Sequence, residues 1–202
     1  MTSMTTNDPA SNLTLRMANA LYYDAANVMI SDSYSANMKQ YYGAGLKPFQ
    51  RPNPEQAINT WVEEVTEHAI TNLLQPGAIT PDTVLILLNA VFFQATWSSQ
   101  FDPIHTWNAD FTTISAAIKQ VPLMYQQEDF SVKSFSELDA RVLELPYKGG
   151  DYSFFILLPN TRNGLENLES KLTGQILESA LTSMPPAQLY KVYLPKVHSA
   201  HE

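Results

Sequence analysis

The run "LILLNAVFFQATW", residues 85–97, limits the possible folds of this chain more than any other feature. Every residue from Leu85 to Phe93 except Asn89 is hydrophobic. That length suits a fully buried strand and is far too short to cross a bilayer. A buried amide at Asn89 needs hydrogen-bond partners. Immediately upstream, Ile58, Trp61, Val62, Val65, Ala69, Ile70 and Leu73 make one apolar stripe at helical spacing, with Glu55, Glu63, Glu64 and Glu67 off it. The spacing predicts a helix over 54–74. Asn53 can cap it, Pro54 suits its first turn, and Gln56 stands at capping-box spacing. Such a helix needs a flat apolar partner, which the Val84–Phe93 run supplies.

The rest of the chain is built of shorter pieces. Residues 1–14 are polar and read as a disordered lead-in. "LRMANALYYD" (15–24) carries a second central asparagine, Asn19, and reads as a strand. Asp32 or Ser33 then caps a brief helix with Tyr34, Met38 and Tyr41 on one face, closed by Gly43 and Gly45. From about residue 105 short β-rich runs follow at "NADFTTI", "KQVPLMYQ", "DFSVKSF", "ARVLELPY" and "YSFFILLP". The last two flank Lys148-Gly149-Gly150-Asp151, a hairpin signal. Residues 164–183 read as two short helices, Pro185-Pro186 stops them, and "YKVYLP" is a final strand. The class is α+β with substantial sheet.

Composition removes several functions. A net charge of −8, with only 12 Lys and Arg scattered along the chain, argues against nucleic acid and anionic membranes as partners. With no cysteine, neither a disulfide framework nor a thiolate zinc site is available. There is no Gly-x-Ser-x-Gly elbow, and the 7 glycines never form a phosphate loop. His198 and His201 stand at i, i+3, but two imidazoles alone are a weak metal site and the segment reads as a polar tail over 198–202. No cofactor or metal is expected, and no enzymatic activity. The first residues have no basic and apolar leader pattern. Asn12-Leu13-Thr14 is a glycosylation sequon, meaningful only on the secretory route.

Ordered motifs carry a family likeness. "INTWVEEVTEHAITNLLQPGAITPDTVLILLNAVFFQATWSSQFDPIHTWNADF" (58–111) resembles the serpins through Asn59, Trp61, Thr66, the Asn89-Ala90 pair, Phe92-Phe93 and Trp97. Phe101, Thr106 and Phe111 continue the pattern. "ANALYYD", "VPLMYQ", "VLELPYKGGDYSFFILLP" and "VYLPK" are similar to further strands of that family, so the likeness covers 15–197, expected as one partial domain. Gln94-Ala95 departs from the Lys-Gly usual before the tryptophan.

The resemblance implies a serpin-like fold: a large mixed sheet with the 54–74 helix across its face, Val84–Trp97 as a central strand, and smaller β-sheets beyond. It implies an extracellular, secreted serine protease inhibitor acting by insertion of a cleaved loop into the large sheet. Asn89 and Trp97 match positions where that sheet opens; Asn59, Trp61, Thr66, Phe101, Thr106 and Phe111 match packing positions. The family's N-terminal helices and reactive loop have no counterpart in these residues. The expectation is therefore a fragment unable to trap proteases alone, with an unpaired edge on Val84–Phe93. The alternative is a non-inhibitory structural or binding fragment.

Overall fold

The computed structural model describes residues 4–8, 12–182 and 184–196. They fall into two compact units that divide between Ala95 and Thr96, within the span expected as one partial domain.

The first unit is a mixed sheet with two helices. Its spine is β2 (Leu13–Asp24). Along one edge, β1 (Met4–Asp8) pairs antiparallel with the first half of β2, and β3 (Gly45–Phe49) pairs parallel with the second half. Along the other edge runs β4 (Leu85–Gln94), antiparallel, with Asn19 opposite Asn89. The presence of β1 corrects the expectation of a disordered lead-in. "MTTND" is rich in β-branched threonine, and the first half of β2 offers it an open edge to pair with.

Helix α1 (Asp32–Tyr42) is capped by Ser31, one residue before the expected caps, with its hydroxyl accepting from the Tyr34 amide at 3.3 Å. Gly43 closes it in the left-handed conformation (φ 58°). Helix α2 spans Pro54–Val65, about half the predicted length. Thr66 ends it: the side-chain hydroxyl donates to the Val62 carbonyl at 2.7 Å and accepts from the Ile70 amide at 3.1 Å. Glu67 and His68 then take positive φ, which breaks the helical path. Asn53 is itself left-handed and makes no side-chain cap, so the capping-box expectation fails.

The core of this unit joins Ile58, Trp61 and Val62 of α2 to Ala18, Ala20 and Tyr22 of β2 and to Ala90 of β4, with Ile86 and Leu88 packed against it. The strand β4 is not fully buried, contrary to expectation: only Ala90 is, and Leu87 is 70% exposed. The period of two explains this. Alternate residues meet α2, while Leu85, Leu87, Asn89, Val91 and Phe93 point to a face that the described residues leave open.

The second unit is a sheet of five strands, β5 (Thr106–Thr112), β6 (Ile118–Phe135), β7 (Ala140–Pro146), β8 (Ser153–Pro159) and β9 (Gln188–Pro195), with α3 (Leu165–Lys171) and α4 (Gly174–Leu181). The two runs expected around residues 119–135 form one 18-residue strand. Three successive partners satisfy its backbone across the polar stretch: β5 over 118–124, β9 over 123–130 and β7 over 131–135. The β7–β8 hairpin turns at Gly149 and Gly150, both at positive φ, as the dipeptide signal predicts.

Candidate functional site

In the first unit the candidate site is the helix laid across β2 and β4, together with the strap that leads from helix to strand. Trp61 is 4% exposed and meets Tyr22 edge-on, ring centroids 6.2 Å apart. Burial, and then the Glu64 charge, push the Tyr22 hydroxyl up to about 12. The Lys47 ammonium lies 5.6 Å from the Trp61 ring, and burial lowers its pKa.

The strap, residues 66–84, has no regular structure, and side chains hold it. Asn59 donates from Nδ2 to the Leu74 carbonyl at 2.8 Å and accepts from the Leu74 amide at 2.9 Å. Glu55 accepts from the amides of Gly77 and Ile79, each at 3.0 Å. Arg51 donates to the carbonyls of Thr80, Pro81 and Thr83 at 3.0–3.3 Å, and from Nε to Asp24 at 3.3 Å. Glu55, placed by the apolar stripe on the solvated side, is instead buried. The Ile79 amide, its own backbone N–H and the Gly77 amide hold its carboxyl below the usual range, with help from the Arg51 charge. Sequence reading missed Glu55 and Arg51. The signal present was their four-residue spacing with Asn59, which puts Glu55 and Asn59 on one helical face.

Asp24 is held low by the Asn27 side-chain amide, then by the Ala26 amide and Arg51. A depressed folded pKa gives stability that is present above the ordinary carboxylate value and lost as pH falls through the lower folded one. Asp24→Asn is therefore expected to lower the thermal midpoint at neutral pH, by a gap that closes below about pH 4. A gap constant through the acid range, followed by circular dichroism melts, would refute this.

On the sheet face opposite α2, the Asn89 amide donates to the Asn19 carbonyl oxygen at 2.8 Å, and Asn19 donates to the Tyr42 backbone carbonyl at 3.1 Å. The amide is satisfied but not buried, because nothing among the described residues covers that side. A cavity of about 580 Å³ adjoins the pair, lined also by Tyr34, Met38, Tyr42 and Leu87. Among the described residues β4 pairs with β2 alone, so it is an edge strand and not a central one.

Trp97 lies in the second unit, beyond the end of β4. It bridges antiparallel to Tyr147 and stacks on that ring at 4.4 Å with 10° between planes, and Phe154 meets it edge-on at 6.0 Å. Phe101 packs with it near Phe130, Leu145 and Val192. Thr106 opens β5 opposite Met124. Phe111, expected at a packing position, is 46% exposed on β5 opposite Lys119. Asn12 is exposed at positive φ just before β2. Residues 198–202, with His198 and His201, lie outside the described residues. Among those described, no group of three His, Asp or Glu could hold a metal ion, and no helix is long and apolar enough to cross a membrane.

A helix across a mixed sheet, followed by a second sheet-rich unit, is the arrangement that known proteins share with this chain. The profile described as Serpin (serine protease inhibitor) matches residues 1–202. Ovalbumin of Dromaius novaehollandiae is 34% identical over 192 residues, covering 93% of this chain and 50% of its own length, and its structure superposes with a TM-score of 0.82. Antithrombin-III of Mus musculus is 34% identical, covering 89% of this chain and 39% of its own length. The leukocyte elastase inhibitor of Equus caballus is 36% identical, covering 94% and 52%. The chain belongs to the serpin family, a family of protease inhibitors by description, and it spans about half the length of the curated relatives it matches.

Proposed function

We propose that this chain is part of a secreted inhibitor of serine endopeptidases, in which β4 offers its free edge to a further strand while α2 and its strap cover the adjoining face. The observation that carries the reading is that edge. β4 is ten residues long, antiparallel to β2, and has no second partner among the described residues. An open ladder of N–H and C=O groups is what an inserting strand requires. The relative named as an elastase inhibitor supports the partner class. Asn12, exposed at a turn, would carry a glycan on that route. Neither nucleic acid nor a membrane is a partner in this reading, since net charge is −8.

Trapping needs a bait segment as well as an edge, so the 202 residues alone are expected to give no SDS-stable complex with trypsin-like or chymotrypsin-like proteases. The same residues within a chain of the relatives' length are expected to give one. A stable complex from the short chain would overturn the fragment reading. No complex from the long one would establish the second reading, a non-inhibitory binding or structural fragment, which the half-length match favours. In the long form Asn89→Ala removes the amide link to Asn19 and is expected to change the rate at which inhibition is lost on mild heating. Unchanged kinetics would show that the pair plays no part in sheet opening.

A further inference from the structure

The strap between α2 and β4 is held at three points that share one spacing. Arg51, Glu55 and Asn59 rise along the chain in steps of four, and their attachments descend the returning strap: residues 80–83 for Arg51, 77 and 79 for Glu55, and 74 for Asn59. The segments between the pins are themselves stiff. Gln75–Ala78 is a turn closed by the Ala78 amide on the Gln75 carbonyl at 3.0 Å, with Pro76 second and Gly77 third at φ +83°. That is the arrangement of a type II turn. Thr80–Thr83 is a second turn, closed by the Thr83 amide on the Thr80 carbonyl at 3.0 Å and by the two side-chain hydroxyls at 3.1 Å. Ile79, at 7% exposure, pegs the strap into the core between the turns.

Stiff turns between pins do not let one pin open while its neighbours stay closed. We propose that Arg51, Glu55 and Asn59 form a latch from which residues 74–83 detach from α2 as a single body, and that this release governs access to the covered face of β4. The latch stands on its own geometry; its consequence for strand addition rests on the inhibitor reading above.

Amide hydrogen exchange of the 202-residue chain tests the latch without any protease, so its failure and that of the inhibitor reading are told apart. Glu55→Ala is expected to raise exchange at Gly77 and Ile79 by on the order of tenfold to a hundredfold, because two bonds to a charged acceptor are lost. The distinguishing result is a rise of similar size at Leu74 and Thr83, whose own bonds the substitution leaves intact. Amides of β2 and β4 around Ala18 and Ala90 stay within about twofold, which separates release of the strap from general loosening.

Gly77→Ala attacks the same body elsewhere. An added Cβ meets nothing within 4 Å, so only the positive φ is disfavoured. It is expected to produce the same joint rise at Leu74, Ile79 and Thr83, and it reads the coupling if Glu55→Ala prevents folding. A response confined to the residues whose bond was removed would overturn the latch. So would an equal rise throughout β2 and β4.

Discussion

Trp61→Ala is expected to remove about 3–5 kcal/mol from the first unit, the usual cost of deleting a large aromatic from a closed core. Trp61 is 4% exposed and forms the centre of the α2–sheet contact with Ile58, Val62, Tyr22 and Ala90. Tyr22, which meets the indole edge-on, would lose its cover, and the Lys47 stem would lose the ring beneath its ammonium. Set against a typical domain stability of roughly 5–15 kcal/mol, the loss amounts to a large part of the total. It should appear as a fall in thermal midpoint of more than about 10 °C by far-ultraviolet circular dichroism. Gln56→Ala, on the exposed side of the same helix, is the control and should stay within about 0.5 kcal/mol. A small change at Trp61 would mean that α2 is held by its strap and not by the sheet.

Leu87→Lys is expected to slow self-association of the chain several-fold while leaving the midpoint nearly unchanged. Leu87 is 70% exposed on the side of β4 away from α2, with Val91 at 50% and Phe93 at 40%. An apolar edge strand with free backbone groups is a template for pairing with another copy, and an edge lysine blocks that pairing by charge. Light scattering at matched concentration is the measurement. Leu88→Lys, one residue on, turns toward α2 and should destabilise the unit instead. If Leu87→Lys associates as fast as the parent chain, the edge of β4 is not the route.

These two results depend on features of different legibility. The stripe Ile58, Trp61, Val62 and the adjoining apolar run announce a helix on a strand, because periods of 3.6 and two are written directly in residue order. The hairpin at Gly149-Gly150 and both short helices after residue 164 are equally local. Ordered motifs marked the family, and the profile match over the whole chain agrees with them. The helix end at Val65 was not legible, since Ala69, Ile70 and Leu73 continue the stripe. What stops the helix is the buried Thr66 hydroxyl, which bonds at once to a carbonyl behind it and an amide ahead. Asn89 was read as buried because its neighbours are apolar; hydrophobicity says that a strand has a face to hide, not whether anything covers it.

The residue order by itself determined the α+β class, the pairing of an amphipathic helix with the β4 run, and the family. Each is a local pattern or an ordered set of them. Only the tertiary structure decided that β4 is an edge, that Glu55 is a buried acceptor and not a solvated carboxylate, and that Arg51, Glu55 and Asn59 hold one strap. The physical reason is that these depend on which backbone groups return to meet a side chain from 15 to 32 residues away. Hydrogen-bond demand is satisfied in space, and residue order records only that the demand exists.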